Sequence, residues 1–488
     1  MAPRAGWLEA VGTFSPPLFH LSPGTPIIRS KWVLAIKRNS EGCIEKYKAR
    51  LVACANMQKD GRNYKETFSP TGRAASRRLL LGLAVENKWE THQFDVSSAY
   101  LNGEMAGREW YKVFAGWIKS VGFVQTESDH AVFVKTEGAC KLFLLIHIDD
   151  SLLTGDGNLD GFIQQLKSQF EAKSLDKATF FLGQRIMRDG KMGVAIVHQP
   201  HFISSILKDH DMVGCSPRPT PIMLYKSHSC KDLTFDASTK PYRVIVGKLL
   251  FLSGTTRPDI VFAVSKVALH CNNFSQNNWE ALMHILCYLQ GTQDVGLLFR
   301  KSEGSPLLNG FVNADHGADP ETRCSVTGFV ILCAGGAVSW MSKRQALVTV
   351  SSTKDEYVAM SFATRKGILL CRLLSELGFP QTEPTRLHGD NQLAIWLAKH
   401  PAFHARTKHI GIHFHFIQDH IAEGTIEMVW IPPNMMAADV LTKGLGSRKH
   451  WDFVHAMGLV DALREGASWK ERQEVEEVCV AYARVNRI

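Results

Sequence analysis

The chain has 488 residues, 45% of them hydrophobic and 21% charged; this balance excludes disorder as the main state and allows about three domains of ~150 residues. Lys plus Arg number 56 against 47 Asp plus Glu, and the resulting charge of +9 permits a polyanion partner without demanding one. The 11 cysteines form no CxxC pair, which argues against a secreted disulfide framework and for reduced thiols inside a cell, in cytoplasm or nucleus. Residues 1–26, rich in proline and glycine, lack the pattern of a signal peptide and read as an irregular or truncated start. No uncharged apolar run approaches the ~18 residues that cross a bilayer, so no membrane partner is expected.

In chain order, KWVLAIKRN and YKARLVACA read as strands around a turn at Asn39–Gly42, and SRRLLLGLAVENK as an amphipathic helix. HAVFVKT and KLFLLIHI read as paired strands turning at Thr136-Glu137-Gly138, and a helix follows over 159–170. SPRPTPI reads as a linker into helical patterns at 242–253, 259–271 and 279–290. The next block reads β-β-β-α-β-α: FVNADH, SVTGFVILCAG and AVSWMSKR as strands, 353–377 as a helix, RLHGD as a strand and NQLAIWLAKH as a helix. A polar stretch of mixed charge closes the chain.

Carboxylates at the ends of these elements form two groups. Asp149-Asp150 follows an apolar strand at a tight turn, and adjacent acids there repel unless a cation compensates; the plain alternative is a solvated turn. Asp95, in QFDVSSAYLNG, also ends a β-like run, and an acid on one strand plus an acid pair on a hairpin can hold two divalent ions ~4 Å apart. Tyr100, five residues on, can pack beneath a sugar ring. The second group is Asp315, Glu356, Asp390 and Asp439, four acids from four elements, able to gather two ions for phosphodiester hydrolysis by a metal-bound water. Taken singly, Asp390 and Asp439 also suit helix caps. His404, His409, His413, His415 and His420 crowd into 17 residues, with His409 and His413 at i, i+4, but the spacing lacks the remaining parts of a zinc site.

Long ordered strings then point to a family. KWVLAIKRNSEGCIEKYKARLVACANMQKDGRNYKETFSP, HQFDVSSAYLNGEM, the Asp-Asp pair, FFLGQRI, YRVIVGKLLFLSGTTRPDIVFAVS, SSTKDEYVA, DNQLAIWLA, RTKHIGIHFHFI and ADVLTKGL together resemble the Pol polyprotein of Ty1/copia-type retrotransposons. The resemblance implies a mixed α+β and α/β multidomain fold: a fingers–palm reverse transcriptase over 27–210, a helical connection over 211–305, a ribonuclease H-like domain over 306–445 and a tail over 446–488. It implies Asp95, Asp149 and Asp150 as polymerase metal ligands, Tyr100 as the steric gate against a 2′-hydroxyl, and Lys48 and Arg50 as triphosphate contacts. It implies Asp315, Glu356, Asp390 and Asp439 as nuclease metal ligands and His409 in a nucleic-acid-facing loop with Arg406 and Lys408. Two Mg²⁺ or Mn²⁺ ions per site, an RNA template, a DNA primer, an RNA–DNA hybrid and deoxynucleoside triphosphates are the implied cofactors and partners.

The chain departs from the family pattern in four places. His147 stands where the family's Asp-Asp box has tyrosine, which is expected to weaken primer positioning, and His316 stands where it has tryptophan. Lys354 replaces an acid, leaving Glu356, ahead of Tyr357-Val358-Ala359, as the helix's catalytic candidate. Asp149 follows Asp95 by only 54 positions, because a segment that walls the nucleotide pocket is missing near 104–108, through deletion or a misread splice. The expected activity is therefore RNA-directed DNA synthesis, impaired, with the nuclease half more intact. The alternative is an inactive remnant that only binds nucleic acid or has no function.

Overall fold

The computed structural model describes residues 29–38, 44–53, 70–96, 107–189, 193–223, 235–301, 308–317, 322–346, 351–400 and 411–463. It divides into two compact units, Met1–Ser69 with Tyr100–Lys112 and Pro70–Ala99 with Val113–Ile488. In the first unit, β1 (Ser30–Arg38) and β2 (Ile44–Ala53) form an antiparallel ribbon, as their alternating patterns predict. Lys48 stands opposite Ala35 and Arg50 opposite Val33. The turn expected at 39–42 lies outside the described residues.

The chain then runs through α1 (Ala74–Glu86), β3 (Thr91–Val96), α2 (Gly107–Ser120), β4 (Val124–Gln125), β5 (Val132–Glu137), β6 (Cys140–His147), β7 (Asp150–Gly155), α3 (Leu159–Gln169) and β8 (Ala172–Lys177). These strands form a sheet in the order β4-β5-β6-β7-β3-β8. Helix α1 forms where expected but is not amphipathic: it is buried along nearly its whole length, because apolar residues occupy most of its sides. Its N-terminus has no capping side chain of its own; Asp129 serves instead, accepting from the Arg73 N–H at 3.0 Å and the Ser76 hydroxyl at 2.6 Å. The buried Arg78 donates to the Val338, Gly254 and Thr255 carbonyls and stacks 3.8 Å from the Trp340 ring centre.

A second sheet starts with β9 (Phe180–Phe181), β10 (Gln184–Asp189) and β11 (Val194–His198). Helices α4 (Pro200–Asp209), α5 (Tyr242–Thr255), α6 (Val261–Ala268) and α7 (Gln276–Gln290) follow and share an apolar cluster that includes Ile203, Leu249, Val264 and Leu286. Beyond them, β12 (Val295–Arg300) returns to the second sheet beside β11.

The third sheet is built from β13 (Asn309–Asp315), β14 (Val326–Cys333) and β15 (Gly336–Arg344), an antiparallel meander, then α8 (Ser352–Glu376), β16 (Thr385–Gly389), α9 (Gln392–Lys399), α10 (Gly411–Ala422) and β17 (Ile426–Trp430). Its order is β15-β14-β13-β16-β17, with β16 parallel to both β13 and β17. The β-β-β-α-β-α reading holds, and α10 and β17 complete it. The mixed helix-and-sheet class also holds.

The polar stretch of mixed charge from Ser468 onward lies outside the described residues, whereas the first part of the expected tail is structured. Residues 447–456 form α11 (Ser447–Ala456) and 459–461 form β18 (Leu459–Asp461), which pairs with β12. Apolar side chains hold these elements: Phe453, Val454, Met457 and Leu459 are fully buried. Between them Gly458 has φ +79°, and a Cβ there would fall 2.4 Å from the Gly335 carbonyl oxygen, so only glycine fits. The second sheet thus draws strands from three segments that the sequence reading kept apart, and one apolar cluster runs from α1 through all three sheets.

Candidate active sites

The first acid group lies on the first sheet. Asp95, on β3, is opposite Asp150 at the start of β7, and Asp150 on its other side is opposite His147 at the end of β6. The Val96 N–H donates to the Asp149 carbonyl at 3.1 Å, so all three acids meet at one end of paired strands. The β6–β7 turn has two residues, Ile148 and Asp149, and Ile148 has φ +64°. A left-handed β-branched residue where hairpins favour glycine is strained by roughly 1–3 kcal/mol. His147 has a buried Nδ1 without a hydrogen-bond partner; burial lowers its pKa, and the Arg77 guanidinium adds to the effect. Its imidazole is therefore neutral. Tyr100 lies outside the described residues, and of Lys48 and Arg50 only the strand register is described.

The second group forms at one end of the third sheet. Asp315 ends β13, Asp390 follows the last residue of β16, Glu356 lies in the first turns of α8 and Asp439 in a 3₁₀ turn over Ala437–Leu441. That turn packs on β14, where a Cβ on Gly328 would fall 2.6 Å from the Thr442 methyl. Asp390 is not a helix cap: Asn391 takes that role for α9, its side chain accepting from the Ala394 N–H at 3.0 Å. Asp439 is completely buried and accepts from the Asn313 amide at 2.7 Å, and two lysine ammoniums also reach it.

Glu356 is the most informative of the four. Its Oε1 accepts from the Ala314 N–H at 3.0 Å, next to Asp315, while its Oε2 is buried with no hydrogen-bond partner. Burial pushes its carboxyl well above the usual carboxylate range; Asp390 and Asp439 push the same way and the Ala314 N–H opposes. Burial also raises Asp390, reinforced by Asp439, and raises Asp315. The orphaned oxygen among acids that raise one another is the environment a cation relieves, and an all-carboxylate donor set suits a hard divalent ion. Among the described residues, no three acidic, histidine or cysteine side chains stand close enough to share an ion.

Sequence reasoning missed several neighbours. Asn313 lies two residues before Asp315, on the same face by strand alternation, and that spacing was a usable signal. His316 does not turn toward the four acids: its Nδ1 lies 2.6 Å from Oδ2 of the buried Asp355, which explains why the acid beside Glu356 is engaged elsewhere. His409, Arg406 and Lys408 lie outside the described residues.

Residues 18–108 and 104–224 match the family model for reverse transcriptase (RNA-dependent DNA polymerase). Over 479 residues, 90% of this chain, it is 31% identical to the retrovirus-related Pol polyprotein from transposon RE2 of Arabidopsis thaliana, of which it covers 32%. The chain belongs to the copia-type Pol family. It is also 32% identical over 480 residues, 89% of its length, to the Pol polyprotein from transposon TNT 1-94 of Nicotiana tabacum, covering 36% of that protein. The copia-type chain thus spans about a third of the length of these curated relatives. Among solved structures, the foamy viral protease-reverse transcriptase in complex with dsDNA is similar over 82% of this chain and 77% of that one, at 12% identity and a TM-score of 0.40. Among the described residues, no helix of this copia-type chain is long and apolar enough to cross a membrane.

Proposed function

We propose that the chain acts on RNA–DNA hybrids as a divalent-ion nuclease, with Asp315, Glu356, Asp390 and Asp439 as its catalytic acids. The observation that carries this reading is the buried, unpartnered Glu356 Oε2 among three further acids from separate elements. Asp315, Glu356, Asp390 and Asp439 would hold Mg²⁺ or Mn²⁺. The ions supply Lewis acidity and lower the pKa of a bound water. The residues of the chain orient and neutralise: Asn313 fixes the Asp439 carboxylate, and the Ala314 N–H fixes Glu356. The hybrid is held through its backbone and groove shape, with 2′-hydroxyls marking the RNA strand.

Asp95, Asp149 and Asp150 are the polymerase acids in the same reading, with Lys48 and Arg50 on the triphosphate, Tyr100 as the steric gate and His409 near the nucleic acid. DNA synthesis on an RNA template is impaired in this chain, and the two family-model matches overlap at 104–108, inside the short interval between Asp95 and Asp149, in support. Cleavage of a labelled RNA–DNA hybrid in Mg²⁺ tests the nuclease half: the full chain cuts, and Asp390→Asn does not. Equal cutting by both would remove the assignment. Primer extension on poly(rA) with dTTP tests the other half; robust incorporation by the full chain would refute the impairment.

A further inference from the structure

Two ammonium groups sit on the second acid cluster. Lys443 Nζ lies 2.9 Å from Asp439 Oδ1 and Lys449 Nζ lies 3.0 Å from Asp439 Oδ2. With the Asn313 amide on Oδ1, both oxygens of this carboxylate are engaged. Neither contact is an ordinary surface ion pair, because the Asp439 side chain is 1% exposed while each lysine is 41% exposed. Charge buried in this way attracts a counter-ion far more strongly than it does at an open surface. The Lys443 charge also favours ionisation of Asp315, Glu356 and Asp390, so it acts on all four acids, as a central cation must. Lys449 acts on Asp390 as well as on Asp439. It enters from α11, in the segment expected to be a tail. Its neighbour His450 is anchored through Tyr288 at 3.1 Å, and its own ammonium lies 5.1 Å from the Phe453 ring centre.

Resting on the nuclease reading above, we propose that Lys443 and Lys449 are resident counter-cations of the acid cluster, which hold Asp439 until a divalent ion loads and leave it when one does. A dication and two ammoniums within a few ångströms of one buried carboxylate repel one another, so loading is an exchange. Metal affinity is then reduced by the strength of the lysine contacts, and the partly exposed ammoniums move outward, toward the side from which a polyanion approaches.

Titration calorimetry of the full chain with Mn²⁺ alone, without nucleic acid, tests the exchange. Lys449→Met is expected to bind Mn²⁺ about tenfold more tightly than the parent, the scale of one hydrogen bond to a charged group. Its ion-free melting temperature should fall, and Mn²⁺ should restore it. Lys266→Met is the control for general charge, because Lys266 acts on Asp315 but makes no ion pair to Asp439 in the structure; its gain should stay below about threefold at moderate salt. Equal gains in the two variants overturn the exchange, as does unchanged or weaker binding by Lys449→Met. Lys449→Gln gives the same comparison if the methionine variant does not fold. Asp439→Asn separates the two claims. If it binds Mn²⁺ as well as the parent does, the metal-centre reading falls; if it loses Mn²⁺ while Lys449→Met matches the parent, only the exchange falls.

Discussion

In the first acid group, Asp95 and Asp150 face each other on two hydrogen-bonded strands, and Asp149 stands in the two-residue turn beside them, after Ile148 with its positive φ. In the second, four carboxylates come from a strand end, a helix, a second strand end and a 3₁₀ turn, and each is set by packing far along the chain. A local site keeps its geometry as long as its hairpin forms, but it depends on neighbouring segments for everything else it needs. A dispersed site is completed by the helix and turns packed on its sheet, and any change that loosens that packing reaches it. On the reading proposed above, a segment missing near 104–108 would weaken the first site and leave the second as it is.

The largest effect expected from this contrast is a separation of functions. Asp390→Asn should lower hybrid cleavage at least about 100-fold, whereas Asp150→Asn should leave it within about twofold. Parallel cleavage assays of the two variants decide it, and similar losses in both would mean that the sites are not independent.

The next tests how the second site is held. Arg257 is buried in a double contact with Asp259; Tyr288 donates to Asp259 Oδ2 at 2.8 Å, and His450 Nε2 reaches the Tyr288 hydroxyl at 3.1 Å. That chain of donors requires a proton on His450 Nε2. Burial lowers the His450 pKa to about 4. The unfolded chain takes up a proton near pH 6.5 and the folded chain does not until about pH 4. This contribution is thus complete above pH ~6.5 and is lost as pH falls toward 4, up to about 3 kcal/mol. Urea unfolding between pH 7 and 4 should show it, and His450→Gln should flatten that slope. An unchanged slope in the variant would place the pH dependence elsewhere.

Gly458→Ala should cost about 2 kcal/mol, from its positive φ and the close Gly335 carbonyl, and hydrogen exchange should rise in α11 before it rises in β3 or β7. Uniform loosening would contradict the idea that the tail serves the second site in particular. Smallest is Asn391→Ala, which removes the cap of α9 beside Asp390 at about 1 kcal/mol; a thermal melt measures it, and cleavage should fall only slightly.

The sequence carried the elements well where periodicity was strong. The run LLLGLAV, the strand KLFLLIHI and the meander from Phe311 to Arg344 formed as read, because apolar alternation and length leave little choice there. The seven acids were legible only because each ends an element and lies in a family string. Asn313 left a usable trace in its spacing from Asp315; Lys449 left none, since what matters for it is which distant carboxylate it touches. Residues 447–461 were given no elements for a physical reason: Phe453, Met457 and Leu459 are too sparse to show a period and become a core only against Gly335 and β12.

The pairing of β18 with β12 has a consequence for the order in which the molecule is finished. The second sheet begins at residue 180, yet its outermost strand ends at residue 461, so the ribosome must release almost the whole chain before that sheet is closed. Until then Val295, Leu297 and Phe299 lie on an open sheet margin, a ready template for another copy. A chain cut at 445, where family strings end, should keep both acid groups and still precipitate, because its last short strand is the one that seals the margin.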